Sequence, residues 1–303
     1  MDKAQLGGYL VSVPLPWDDN GQLLVDQFRA ATRKLLKEGC DGIYLFGTSG
    51  EGYAVSDSEF KVIIDLFEVE TQGFDGFVQV GCFGLISEQV KVRCDMASDR
   101  GIAAVQITLP FWKELNDGEL TRYFQDVCGS FPDMSFLLYN NPRNKRRLSG
   151  AELARIIPEV PNLHGTKTGS GSWMDFYELL TATPTLRHFV TEGAFPFCHP
   201  LGAAGLIPSS NYARPRLSHT YHEAVLAGDL ERSQELHQNI IRFFYETALP
   251  LGRKGYIDGA IDKAYARIGG MDMPLYMKSP YMALTEADFG WLEDLVKRDF
   301  PDA

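Results

Sequence analysis

The sequence predicts an α/β chain folded as an eight-stranded parallel (β/α)8 barrel, a TIM barrel, with a C-terminal helical appendage. Three observations carry that reading. Up to about residue 210, short apolar runs rich in β-branched and aromatic residues alternate with longer stretches of helical period. Eight such alternations occur in a chain of 303 residues, a length compatible with one barrel, for which about 250 residues is typical. From residue 214 onward only helical text remains.

The strand candidates, in order, are "GYLVSVPLP" (8–16), "DGIYLFG" (41–47), "FVQVGCF" (77–83), "AAVQITLP" (103–110), "SFLLYNNP" (135–142), "LHGTKTG" (163–169), "RHFVTEG" (187–193) and "AGLIPSS" (204–210). They read as nearly continuous apolar runs, as strands covered on both faces do. Between them lie helical segments, for example 23–38, 56–71 and 87–100. The second opens on Ser56 with Glu59 three residues on, a capping-box pattern. A doubly wound open sheet would alternate in the same way, but it would be expected to carry a nucleotide-binding glycine fingerprint. The sequence has none, which favours the closed barrel. The expected division is a barrel over 1–213 and a helical extension over 214–303. No Pro/Gly/Ser linker separates them, so they are expected to pack as one structural unit.

Composition limits the function. A net charge of −11 argues against nucleic acid or an anionic membrane as partner. Five cysteines lie scattered with no CxxC pair, and the histidines make no HExxH pattern. Reduced thiols in a cytoplasmic protein are the expectation, without a zinc site. The N-terminal text has no secretory h-region, and no apolar run reaches the ~18 residues of a membrane span.

In such barrels the active site lies at the C-terminal ends of the strands. Strand two ends in Gly47-Thr48-Ser49-Gly50-Glu51, strand five in Tyr139-Asn140-Asn141, and strand seven in Glu192-Gly193. Strand six carries Lys167 inside "HGTKTG". A lysine there has two readings. It reaches solvent from the strand end, or it is desolvated, loses its proton more easily and attacks a carbonyl to form a Schiff base. Tyr139, on the neighbouring strand at the same end, is either a core tyrosine or a proton shuttle beside such an imine. Thr48 and Ser49 offer short donors on a loop whose N–H groups suit a carboxylate, or they belong to an ordinary glycine turn. Glu192 is either a salt-bridged strand end or an additional acid/base.

The segments "FGTSGEGYAVSDSE", "LLYNNP", "GTKTGSG" and "PLGAAGLIPSSNYARP", in this order, resemble the dihydrodipicolinate synthase / N-acetylneuraminate lyase family. The resemblance spans nearly the whole chain. It implies that Lys167 forms an imine with pyruvate or a related 2-oxo acid, that Tyr139 relays protons, and that Thr48 links that tyrosine to solvent or leaving group. It implies that Thr48 and Ser49 hold the carboxylate, and that Ile207 and Gly193 match positions bordering the site. It also implies a homo-oligomer, commonly a tetramer, and no cofactor or metal, since the imine takes the place of a Lewis acid.

Three departures stand out. Phe111-Trp112 replaces the tyrosine pair that follows strand four in the synthases. Asn144 stands where they carry an arginine for a second carboxylate, with Arg143 one residue early. Glu192 lies beside the site. Together these point to a lyase acting on a 2-keto-3-deoxy sugar acid or similar 2-oxo acid by retro-aldol cleavage. A dehydratase using the same imine, dihydrodipicolinate synthesis proper, and a non-catalytic 2-oxo-acid sensor are the alternatives.

Overall fold

The computed structural model describes residues 5–301. Eight strands, β1 (Gly8–Ser12), β2 (Gly42–Leu45), β3 (Phe77–Cys82), β4 (Ala104–Ile107), β5 (Ser135–Tyr139), β6 (Leu163–Thr168), β7 (Arg187–Val190) and β8 (Gly205–Leu206), pair in chain order into a closed barrel. Every pairing is parallel, and β8 returns to β1 through Gly8↔Gly205 and Tyr9↔Leu206. All eight expected strands are present. All eight stop short of the expected C-terminal limits, where the chain leaves the sheet for the loops of the barrel mouth.

The helices are α1 (Val25–Glu38), α2 (Asp57–Glu70), α3 (Ser87–Ser98), α4 (Asp117–Cys128), α5 (Gly150–Ile156), α6 (Trp173–Ala182), α7 (Phe195–Cys198), α8 (Pro215–Leu226), α9 (Leu230–Glu246), α10 (Ala248–Arg253), α11 (Asp258–Ile268) and α12 (Glu286–Asp299). In α1 the buried residues Phe28, Ala31, Thr32 and Leu35 follow helical spacing and face the barrel. The Ser56/Glu59 capping box starts α2. Equivalent boxes start α4 (Asn116/Glu119), α5 (Ser149/Glu152) and α6 (Ser172/Asp175). Each satisfies helix donors that would otherwise lack partners, an interaction typically worth ~1 kcal/mol.

Contacts cross the 213/214 division. The Tyr9 hydroxyl of β1 donates to Ser218 of α8 at 2.6 Å, and the Tyr221 hydroxyl of α8 donates to the Glu192 carbonyl at 2.7 Å. Helix α8 is thus the eighth helix of the ring. Among the described residues no helix is long and apolar enough to cross a membrane.

The lower barrel interior is plugged by Leu6, Leu10, Phe77, Ala104, Leu137 and Phe189. Two glycines make room for its rings. A Cβ on Gly42 would lie 2.4 Å from the Phe77 ring, and one on Gly205 would lie 2.6 Å from the Phe189 ring. Above the plug sits a buried polar layer, in which Gln106 Nε2 donates to the Tyr44 hydroxyl oxygen at 2.6 Å. This layer separates the apolar plug from the open mouth.

Candidate active site

The β5–β6 register places Tyr139 directly beside Lys167. Lys167 Nζ lies 4.4 Å from the centroid of the Tyr139 ring. Among the described residues no hydrogen bond or ion pair ties Nζ to a protein acceptor. Both side chains line a cavity of about 370 Å³ at the C-terminal mouth, together with Ser12, Thr48, Ser49, Arg143, Ile207 and Asp262. The amine therefore faces a space where a ligand carbon can meet it.

The loop after β2 is built by close packing. Phe46 adopts φ 63° and Glu51 φ 45°, a left-handed backbone costing about 1–2 kcal/mol for a non-glycine residue. A Cβ on Gly52 would lie 2.2 Å from the Phe46 carbonyl oxygen, and one on Gly50 would lie 2.8 Å from that of Val13. The glycines thus let the loop fold onto β1 and β2, while Thr48 and Ser49 line the cavity. Glu51 pins the loop from below. Its fully buried carboxylate is paired with Lys263, accepts from Trp17 Nε1 at 2.8 Å and accepts from the Lys278 amide at 3.1 Å. A buried pair held by further hydrogen bonds avoids the penalty of an isolated buried charge.

Helix α11 brings the tail into the mouth. It is buried continuously from Gly259 to Ala266, and a Cβ on Gly259 would lie 2.8 Å from the Thr48 carbonyl oxygen. That approach sets Asp262 against the loop, where its Oδ2 accepts from Ser49 Oγ at 2.5 Å. Burial pushes the Asp262 carboxyl up to about 7, against the lowering effect of the Ser49 bond. At the rim, Asp258 pairs with Arg143 at 2.9 Å.

Three expected site residues lie elsewhere. Asn144 is buried and does not line the cavity. Its Nδ2 donates to the Tyr139 carbonyl at 2.7 Å, so it fastens the end of β5. Arg143, its neighbour, faces the cavity instead, because the chain turns through a short 3₁₀ helix at Pro142–Asn144. Glu192 is 2% exposed and also absent from the lining. Its Oε1 accepts from the amides of Ser209 and Ser210 at 2.7 and 2.8 Å, holding the loop after β8. Burial raises its carboxyl above the ordinary range, and these backbone donors oppose the rise. Gly193 borders a separate surface groove with Trp173 and Phe197. The residue of that stretch that does line the cavity is Thr191. Ile207 lines the cavity, and its amide is already given to the Val190 carbonyl at 2.9 Å.

Sequence reasoning passed over Ser12, Asp258 and Asp262. Period-two counting along "GYLVS" would have put Ser12 inward with Leu10. The two carboxylates at i and i+4 in the mostly apolar "YIDGAIDKAYA" were the signal for α11.

The mouth thus holds an amine with no acceptor among the described residues, a phenol beside it, and hydroxyls from two different elements. That set can form and protonate a carbinolamine, and it can move protons next to an iminium. The family model for the dihydrodipicolinate synthetase family matches residues 5–298. The 4-hydroxy-tetrahydrodipicolinate synthase of Methanothrix thermoacetophila is 24% identical over 297 residues, covering 96% of each chain. YagE, a prophage protein of the dihydrodipicolinic acid synthase family from E. coli K12 solved in complex with pyruvate, superposes with a TM-score of 0.87 at 20% identity, over 96% of this chain and 98% of its own. N-acetylneuraminate lyase from Mycoplasma synoviae superposes with a TM-score of 0.84 at 18% identity, over 99% of this chain and 100% of its own. With a match that runs from the first strand to the last helix, this chain belongs to the dihydrodipicolinate synthetase family.

Proposed function

We propose that this protein is a Schiff-base-forming lyase that cleaves a 2-oxo acid, of the 2-keto-3-deoxy sugar acid kind, by a retro-aldol reaction on Lys167. The juxtaposition of Lys167 Nζ with the Tyr139 ring in one cavity is the observation that carries this reading. The Lys167 amine attacks the C2 carbonyl, water leaves, and an iminium forms. Tyr139, working with Thr48, takes the proton of the C4 hydroxyl. The C3–C4 electron pair flows into the iminium, releasing an aldehyde and leaving the enamine of pyruvate. Protonation at C3 and hydrolysis return pyruvate and the amine. Thr48 and Ser49 orient the acid end, which lowers the entropic cost of the attack. The cavity of about 370 Å³ is larger than a three-carbon acid needs, which supports a substrate extending beyond the methyl carbon.

Borohydride trapping tests the scheme. The protein mass should rise by one reduced pyruvate adduct, and Lys167→Ala should abolish the rise. An adduct that survives in Lys167→Ala rejects the scheme. Product analysis separates its two outcomes: an aldehyde with pyruvate for cleavage, or a single dehydrated acid for a dehydratase. The names of the curated relatives favour 4-hydroxy-tetrahydrodipicolinate synthesis as a second reading. Asn144, spent on the Tyr139 carbonyl, and Phe111-Trp112 in place of the synthases' tyrosine pair speak against it. An assay for that product decides between them. The exposed Phe111–Trp112 turn also supports a homo-oligomer, and sedimentation of the purified chain measures its size.

A further inference from the structure

Ser49 and Asp262 contain an unresolved conflict. A hydroxyl has one hydrogen to donate. Ser49 gives its own to Asp262 Oδ2 at 2.5 Å. In that state Ser49 meets an incoming carboxylate with lone pairs only, and the ionised Asp262 behind it repels the same charge. Asp262 itself is 5% exposed and lines the cavity. Ser12, from β1, also lines it, and its Oγ is buried without a hydrogen-bond partner among the described residues. A donor is thus available on one side of the cavity and withheld on the other.

The surroundings of Asp262 are mostly anionic. Asp258 one turn earlier on α11 and Glu192 at the end of β7 push its carboxyl up, and Lys167 on β6 pulls it down. The phenols of Tyr212, in the 3₁₀ turn after β8, and Tyr265, on its own helix, also feel its charge. Arg143 is engaged with Asp258, and Lys263 with Glu51.

We propose that Asp262 is a positioning residue for substrate binding, acting on Ser49 as the neutral acid and taking up one proton from solvent as the carboxylate of the 2-oxo acid enters. The bond to Ser49 then reverses. Asp262 donates to Ser49 Oγ, and Ser49 donates to the ligand carboxylate. One O–H bond forms on Asp262 and no other covalent bond changes. Burial already pushes this carboxyl up to about 7, so the proton costs little near neutrality. This inference rests on the reading of the site as a 2-oxo-acid pocket.

Calorimetric titration with pyruvate from pH 6 to pH 9, with borohydride trapping at each pH, tests it on the whole chain. Wild-type affinity should be flat below about pH 7 and fall about tenfold per pH unit above it, as one-proton linkage requires. Asp262→Asn should show no such break. Ser49→Ala should bind more weakly throughout, with its break moved to higher pH, because the bond favouring the ionised acid is gone. It serves equally if Asp262→Asn does not fold. A wild type without the break, an Asp262→Asn variant that keeps it, or a Ser49→Ala break that stays put each overturns the proposal. An adduct with pH-flat affinity sinks the Asp262 role and leaves the imine. A break abolished by Asp262→Asn without any adduct sinks the imine alone. No binding of pyruvate at any pH sinks both.

Discussion

The two ends of the barrel interior use the same eight strands for opposite purposes. At the N-terminal end, Leu10, Phe77, Ala104, Leu137 and Phe189 form a buried apolar plug. At the C-terminal end the inward positions are Ser12, Tyr139, Lys167 and Ile207, around open space. One step of two residues along a strand, from Leu10 to Ser12 or from Leu137 to Tyr139, converts packing into chemistry. The difference teaches that a hollow, polar mouth is tolerated because the lower plug and the larger core outside it supply the buried apolar area, roughly 25 cal/mol per Å². Removing groups from the upper end should therefore cost activity and little stability, and the reverse should hold below.

The largest expected effect is at Lys167. Lys167→Ala should eliminate both the trapped adduct and turnover while leaving the urea midpoint near that of the wild type. A substantial fall in that midpoint would mean that the mouth, too, is structural. Next comes Tyr139→Phe, which keeps the ring over Nζ and removes only the hydroxyl. Turnover should drop by about 10²–10⁴-fold, the usual worth of a positioned acid/base, with the adduct still formed. Near-normal turnover would take the phenol out of the proton path. In the lower end, Phe189→Ala should cost about 3–5 kcal/mol in denaturant unfolding, as for other buried rings. A loss below about 1 kcal/mol would show that the plug is loosely packed.

How far the sequence discloses this division depends on whether neighbours in space are neighbours in pattern. Lys167 and Tyr139 are legible because each ends an apolar run, and the parallel register then brings them level. Glu192 and Gly193 mislead because β7 stops at Val190. Beyond that point period-two counting no longer says which side faces in, and Thr191 is the residue that does. Asn144 misleads for a related reason, since the 3₁₀ turn rotates Arg143 into its place. Asp262 is the hardest to read. It sits on a helix far along the chain, and only the close approach of Gly259 to Thr48 brings it to the mouth. That proximity is tertiary, and the i, i+4 carboxylates of α11 mark the helix without saying what it packs against.

The smallest expected effect compares the two ends through their titrations. Asp262 belongs to the mouth. His222 on α8 packs near Tyr9, with ring centroids 5.3 Å apart, toward the lower end. Burial raises the first to about 7 and lowers the second to about 4. Between pH 4 and 7 the folded chain holds a proton on Asp262 that the unfolded chain releases, so this contribution to stability falls as pH rises through 7. Below pH 6.5 the unfolded chain protonates His222 while the folded chain does not, so that contribution falls as pH drops toward 4. The two slopes oppose each other, each at most about 1.4 kcal/mol per pH unit, and largely cancel in the wild type. Single variants uncover them. Relative to wild type, Asp262→Asn should gain unfolding free energy as pH rises from 4 to 7, and His222→Gln should gain it as pH falls from 6.5 to 4. Urea unfolding at half-unit pH intervals measures both differences. Two differences of the same sign, or two flat ones, would mean that the barrel's ends do not hold their buried groups in opposite protonation states.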